Sequence, residues 1–331
     1  MKISNRLLRQ LCTVFSSVLC VSIAGAALAQ SYPNKSIRII LPAPPGGGSD
    51  FVGRIIGLKL GAAFGQPVIM DNRGGAAGNI AAELVAKAAP DGYTLLLATP
   101  SHAINPSLYR KLSYDFVKDF APITQVTAQA YLFALHPSVP AKTVKEFIAL
   151  AKSKKGRITY ASSGVGQAQH LGMELLKTLA GFDAVHVPYK GAGPATIDLI
   201  AGQVDASMMS MPGGLPHVRG GKNDKIRAIA VTSLKRSVLL PDVPTVAEAG
   251  FPGYEVSGWF GLLAPAGTPR EAVTKLYEEI SRSLKLPDVG DRMAAGGADP
   301  VGSTPEEFAA YIQAEIIKYE KVITQSGARA D

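Results

Sequence analysis

The chain has two cysteines in 331 residues, Cys12 and Cys20, and both fall within the first 29 positions. The roughly 300 residues that follow therefore have no disulfide frame, no thiolate metal ligand and no thiol nucleophile, and their fold has to stand on its apolar core. That length suits about two domains of ordinary size. Aromatic residues make up 7% of the chain, with a single tryptophan. The densest basic cluster, Lys152, Lys154, Lys155 and Arg157, has no aromatic side chains between its charges and stands at a predicted helix end, where cations are favoured. Nucleic acid is thereby excluded as a partner. Beyond residue 24 no apolar run is long enough to cross a bilayer.

Familiar catalytic signatures are missing as well. There is no G-x-x-x-x-G-K-[ST] loop, no G-x-S-x-G elbow and no H-E-x-x-H helix. Gly164-Val165-Gly166 is followed by Gln169 where a dinucleotide fingerprint needs Gly or Ala, and Gly46-Gly47-Gly48 lacks the later glycine. His102, His136, His170, His186 and His217 are scattered with no close pair. They read as ordinary helix-face or strand histidines, so no metal or other cofactor is expected. No nucleophile–base pair is evident.

The N-terminus reads as a secretory signal: Lys2, Arg6 and Arg9, then the apolar Leu11–Ala24, then Ala27-Leu28-Ala29. Cleavage after Ala29 is expected, with the mature chain exported and starting at Gln30. Leu19 is too bulky for a lipobox at Cys20. Removing the three basic residues lowers the formal charge from +8 to +5, a mild excess.

The remainder alternates short β-prone runs with helical patterns, the mark of an α/β protein with largely parallel sheets. Strands are predicted at Ile37–Leu41, Val68–Asp71, Thr94–Ala98, Ile158–Ala161, Val185–Val187, Ala206–Met209 and Ile226–Val231. Four T-x-x-E sequences, starting at Thr143, Thr245, Thr268 and Thr304, read as capping boxes. They open helices over 143–154, 245–249, 269–285 and 305–325; other helices are predicted at Phe51–Phe64, Ile80–Ala89 and Ala168–Ala180, with one running through Ile200. Two long extended segments, Ile123–His136 and Gly253–Pro265, bracket one block. They predict two crossovers between a split domain, 30–130 plus 255–331, and an inserted domain, 131–254.

Pro42-Ala43-Pro44-Pro45-Gly46-Gly47-Gly48-Ser49-Asp50 joins the first strand to the first helix. Strand, glycine turn and helix aim several N–H groups at one point, and the helix dipole adds about half a positive charge there. Such a site takes a carboxylate or phosphate without a basic side chain. Gly47 and Gly48 are expected to let the anion approach closely and to permit positive φ. Asp50 reads as support for the N-terminal turn. Four further loops have the same character: Asn72–Asn79, Ala98–His102, Ala161–Gln167 and Val187–Pro194. Each alone is ordinary turn chemistry, but five together suggest an uncharged cleft of N–H and hydroxyl donors suited to a carboxylate.

Over essentially its whole length the chain resembles the Bug family, the periplasmic solute-binding receptors of tripartite tricarboxylate transporters. The resemblance rests on Tyr32-Pro33, Pro42–Asp50, Asp91-Gly92-Tyr93-Thr94-Leu95-Leu96, Tyr114-Asp115 with Lys118–Pro122, His186–Gly191, Pro241–Gly250 and Gly258–Pro265. It implies a two-domain Venus-flytrap periplasmic-binding-protein fold, each domain a mainly parallel sheet flanked by helices. It also implies a monomer in the periplasm that hands a small organic acid to membrane subunits driven by an ion gradient. The ligand-binding residues so implied, together with the donor loops, are Ala43, Gly46, Gly47, Gly48, Ser49, Ala77, Gly78, Asn79 and Ser101 from the first domain. From the second come Ser162, Ser163, Gly166, Gln167, Tyr189 and Ser210.

At Met209-Ser210 the chain departs from the acidic or amide pair often found in such receptors. An ammonium there would lack an acceptor, so a dicarboxylate or aromatic carboxylate is expected rather than an amino acid. Met209 reads equally as an adaptable apolar wall or as core. Two other functions remain open: an exported α/β enzyme acting on an anionic substrate, and a periplasmic sensor subunit.

Overall fold

The computed structural model describes residues 32–154, 156–218 and 225–329. The signal sequence and its cleavage point lie outside them.

Strands β1 (Ile37–Leu41), β2 (Val68–Asn72) and β3 (Thr94–Ala98) are parallel, with β1 in the middle. A second parallel trio consists of β5 (Thr159–Ser162), β6 (Val185–Pro188) and β7 (Ala206–Ser210). Strand β4 (Phe120–Leu135) and strand β9 (Ser257–Pro265) join them antiparallel, giving the order β2-β1-β3-β9-β4-β7-β5-β6. Strand β8 (Arg227–Val231) and the short β10 (Asp299–Pro300) also pair with β4. The sheet is thus mixed. Among the named strands parallel pairing is confined to the two trios, because the long crossing strands run out and back and meet each other and their neighbours antiparallel.

Strand β4 changes partners along its length. Through Ala130 it pairs with β9; from Tyr131 it pairs with β7. At the change, the Thr232 hydroxyl accepts from Tyr131 N–H (2.8 Å) and donates to the Val256 carbonyl (2.6 Å), tying the two crossing segments together.

Helix α1 (Gly48–Phe64) begins three residues earlier than predicted, inside the glycine run. Asp50 accounts for this: its carboxylate accepts from Gly46 N–H at 3.1 Å and from Arg54 Nε at 2.9 Å, closing the first turn. Helix α2 (Asn79–Ala86) stops short of the predicted Ala89, ahead of Pro90, which disfavours helical backbone before it. Helices α3 (Pro100–Leu108), α4 (Val144–Lys154), α5 (Ala168–Ala180), α6 (Ala192–Ile200) and α7 (Met211–Val218) follow, then α8 (Arg270–Leu284), α9 (Pro287–Ala295) and α10 (Pro305–Ser326).

The capping boxes have unequal outcomes. At Thr304 both reciprocal bonds form. At Thr143 the hydroxyl caps Glu146 N–H, but the Glu146 carboxylate accepts from Lys142 N–H instead. At Thr245 both bonds form, yet only a turn follows, not the predicted helix at 245–249. At Thr268 no box forms: its hydroxyl donates to the Pro265 carbonyl, and α8 starts after Pro269.

Burial of aliphatic side chains on both faces of β1 and β3 sets the core of the first half. The core of the second half includes Ile104 and Leu108 from α3 and Tyr319, Val322 and Ile323 from α10. Apolar packing therefore runs from one half into the other. Among the described residues no helix is long and apolar enough to cross a membrane.

Candidate functional site

Because β1, β2 and β3 are parallel, their carboxyl ends share one edge, and the loops after them lie side by side. Asn72 Nδ2 donates to the Ala43 carbonyl at 2.8 Å, joining the first loop to the second. His102, wholly buried at the start of α3, contacts the Gly78 carbonyl through Nε2 at 3.3 Å and accepts from Thr99 N–H through Nδ1 at 3.0 Å. That pattern fixes the neutral Nε2–H tautomer. Burial pushes the imidazole pKa down to about 4. Asn105 Nδ2 donates to the Ala77 carbonyl and to Asn79 Oδ1 (3.1 and 2.6 Å), and Tyr114 OH donates to the same Asn79 oxygen. Ala76 and Ala77 are held at φ of 46° and 53°, a left-handed backbone that alanine rarely adopts.

The glycine run is exposed, and it differs from expectation in one respect. Gly47 has φ −88° and Gly48 belongs to the helix; the positive φ is at Gly46, at 87°. A side chain at Gly47 would meet nothing nearer than the Pro44 carbonyl at 3.9 Å, whereas one at Gly48 would come within 3.1 Å of the Phe260 ring. Open space thus lies above the first turn of α1, whose leading N–H groups have no intrahelical acceptor.

Buried polar atoms without a hydrogen-bond partner gather here, apart from Tyr319 OH in the core of the second half. Among the described residues they are Ser49 Oγ, Asp50 Oδ1, Asn105 Oδ1, Thr127 Oγ1 and Tyr319 OH. Ser49 and Asp50 form the first turn of α1, and Asn105 holds the Ala77–Asn79 loop. Thr127 is paired across the ladder with Phe260, the residue against Gly48. Native proteins rarely leave such atoms unsatisfied, so each points to water or a ligand. Thr127 and Asn105 were not legible as site residues, because each lies inside an element, outside the donor loops, with no local motif. Asp50 has its carboxyl held below the usual carboxylate range by the hydrogen bond from Arg54, with Gly46 N–H adding to it.

In the second half, the loop after β5 is heavily cross-linked. Ser163 Oγ donates to Gln169 Oε1 at 3.0 Å, and its carbonyl accepts from Gly191 N–H. Half-buried Tyr189 donates to Asp198 at 2.6 Å; burial first, then that bond, raise its phenol to about 12. Ser210 ends β7, half-buried, opposite Tyr131. Met209 is 4% exposed and packs in the core with Leu132, so it is core and not a cleft wall.

Ser162 and the histidines correct the sequence reading. His170 and His186 come together as stacked rings, centroids 3.9 Å apart, and His186 Nε2 lies 2.7 Å from Ser162 Oγ. This resembles a nucleophile–base pair, but its chemistry differs. The Ser162 hydroxyl also donates to the Gly164 carbonyl (3.0 Å) and accepts from Gly164 N–H (3.2 Å). One donor and two lone pairs are all satisfied when His186 donates to it. Ser162 is 1% exposed, so a substrate carbonyl has no path to its oxygen.

The two halves meet at this loop. Ser101 Oγ, in the first turn of α3, donates to Gln167 Oε1 at 3.0 Å. One residue earlier, Gly166 lies so close to Leu108 that an added Cβ would stand 2.1 Å from its Cδ2. Two predicted site residues from opposite halves are therefore in direct contact. Among the described residues no cluster of three potential metal ligands occurs.

Comparison with known proteins places this geometry. Residues 52–328 match the family model described as tripartite tricarboxylate transporter family receptor. BugT of Bordetella pertussis is 35% identical, over 97% of this chain and 98% of its own. Among solved structures, R. palustris Rpa4515 with adipate has 36% identity and a TM-score of 0.82, covering 90% of this chain and 99% of its own. MatC of Rhodopseudomonas palustris with bound malate has 35% identity and a TM-score of 0.78, covering 88% and 100%.

Proposed function

The chain belongs to the tripartite tricarboxylate transporter receptor family, the Bug receptors, and from that premise we propose that it is a periplasmic solute-binding protein for a small organic carboxylate. The ligand is held between the half comprising 30–130 and 255–331 and the half comprising 131–254. It is then delivered to membrane subunits of an ion-gradient-driven transporter, without chemical change. One carboxylate sits on the first turn of α1, near the loops at Ala43–Ser49 and Ala77–Asn79. Ser163, Gln167, Tyr189 and Ser210 line the opposite side. The observation that supports this reading most directly is the buried, unpartnered Ser49 hydroxyl beside the exposed glycines Gly47 and Gly48 at the start of α1. A bound carboxylate or an ordered water would satisfy it.

A dicarboxylate is favoured: Rpa4515 is solved with adipate and MatC with malate. Asp50, the acid nearest the site, is already paired with Arg54, which leaves an ammonium group without a dedicated counter-ion.

A thermal-shift panel of mono-, di- and tricarboxylates, aspartate and phosphorylated compounds tests the proposal. At about 100 times Kd a ligand adds roughly 2.7 kcal/mol to the folded state, a visible rise in Tm. A dicarboxylate such as adipate or malate is expected to give it and to be recovered unchanged after long incubation. Gly47→Val, in open space at negative φ, is expected to fold and melt cooperatively but to lose the shift. Stabilisation by phosphorylated compounds alone, or turnover of the ligand, would overturn the reading; a response to aspartate alone would overturn the exclusion of amino acids.

A further inference from the structure

We propose that His170 and His186 are positioning residues for ligand capture. As a neutral stacked pair they hold the Ser162–Gln167 loop in the shape that presents Gln167 to Ser101, and a proton on His170 Nδ1 releases that loop. The role in capture rests on the receptor reading above; the hold on the loop does not.

The geometry is specific to two backbone points. Gly166 N–H donates to His170 Nδ1 at 3.1 Å, inside the protein. Gly166 has φ +73°, so this bond fixes a left-handed turn that puts the residue directly against Leu108. His186 acts two residues earlier: its Nε2 at 2.7 Å orients the Ser162 hydroxyl, which in turn grips both the N–H and the carbonyl of Gly164. Gln167 N–H then closes the loop on the Gly164 carbonyl at 3.3 Å. From below, the loop is held by the His170 acceptor and by the Ser162 hydroxyl that His186 orients, beside the Ser163–Gln169 bond on its flank.

For this to work His170 must be neutral, and the two rings cannot both be charged. Nδ1 of His170 accepts a hydrogen bond, so protonating it would set N–H against N–H at Gly166. Two imidazolium rings cannot stack at 3.9 Å in a buried site without strong repulsion. Tyr160 lies flat against the pair, 4.9 Å from His186 and 6.4 Å from His170. The charged groups around them are Glu174 and Lys177 on α5 and Asp183 in the loop before β6. Glu174 accepts from Tyr160 OH at 2.5 Å and from Lys177 at 2.8 Å, and Lys177 also pairs with Asp183 at 3.5 Å. Glu174 favours a charged His186, but its pairing with Lys177 and Tyr160 leaves that pull smaller than burial. Burial, reinforced by Lys177 and, for His186, by His170, pushes both imidazole pKa values down to about 4.

Because the ligand's own carboxylates titrate in the same range, the test begins without ligand. In the ligand-free protein, protection of the Gly164 and Gly166 amides against hydrogen exchange is measured by NMR at pH 7. Wild type is compared with His170→Leu, His170→Asn, His186→Phe and His186→Gln. Asn Oδ1 reproduces the Nδ1 acceptor and Gln Nε2 the Nε2 donor; Leu and Phe do neither. Protection is expected to fall about tenfold or more in the Leu and Phe variants and to return in Asn and Gln. Unchanged protection overturns the proposal. If Leu or Phe prevents folding, 15N imidazole shifts of wild type decide: both rings are expected as neutral Nε2–H tautomers at pH 6, and an Nδ1–H or charged His170 there overturns it. Calorimetry at pH 7 with adipate and malate follows the same variants. A loosened loop with unchanged affinity would remove the role in capture and leave the receptor reading intact; failure of both compounds to bind wild type would count against the receptor reading, with the exchange result still deciding the loop.

Discussion

Three buried histidines are expected to shape this molecule's response to mildly acidic pH. His102, His170 and His186 are all neutral and engaged, and burial lowers each pKa to about 4 from an ordinary 6.5. Unfolding restores the ordinary value, so between about pH 6.5 and 4 the unfolded chain binds protons that the native state refuses. Stability is then expected to fall as pH drops through that window and to be flat above it with respect to these groups. Urea unfolding midpoints from pH 7.5 to 4 check this. Combining His102→Gln with His170→Asn and His186→Gln should flatten the slope, and a slope unchanged in that variant would assign it to carboxylates. None of this was legible from the sequence, where the five histidines look scattered. His170 and His186 are 16 positions apart, and only the parallel pairing of β5 with β6 beneath α5 stacks them.

Between elements, the contact that matters most is the end of α3 against the loop before α5. Gly166 has no room for a Cβ beside Leu108 and adopts a φ that disfavours one. Gly166→Ala is therefore expected to wedge the two halves apart and weaken carboxylate binding by about tenfold or more. Leu108→Ala added to it should recover part of the loss, since space returns while the φ strain remains. Calorimetric affinities for the single and double variants measure this; equal affinities for Gly166→Ala and wild type would remove the contact from the closing interface. Elements themselves were well marked in the sequence. Ile37–Leu41, Thr94–Ala98 and Ala168–Ala180 form with the predicted ends, because apolar runs and glycine stops are local signals. Two capping-box readings missed: Thr245 and Thr268 have the residues, but a box supplies only about 1 kcal/mol, which the neighbouring backbone can outweigh. At Thr245 the chain turns at Gly250 instead, and at Thr268 the hydroxyl prefers the Pro265 carbonyl.

At the scale of the whole molecule, the proposed cycle needs the halves to move about the place where β4 changes partners. Small-angle scattering with and without a saturating carboxylate is expected to show a smaller radius of gyration on binding. Ser101→Ala combined with Gln167→Ala should weaken binding and lessen the compaction, because their hydrogen bond spans the halves. A wild-type radius that does not change would sink the flytrap cycle even with the ligand class intact. Trp259 suits a parallel fluorescence measurement: it is fully buried on β9, donates to Glu315 Oε2 at 3.1 Å and packs against Phe308 and Tyr311 of α10. By itself the sequence determined the α/β class, most strands and helices and the family, all properties of short segments or of their order. Which loop atoms are spent inside the protein was decided only by tertiary structure. Ser162, Ser163 and Tyr189 turn their hydroxyls to internal partners, while Ser49 and Thr127 keep theirs unpaired. A hydroxyl's partner is set by whatever folds to within about 3 Å of it: for Ser163 and Tyr189 a residue of the following helix, for Ser162 His186 on the neighbouring strand, and no local sequence pattern encodes that approach.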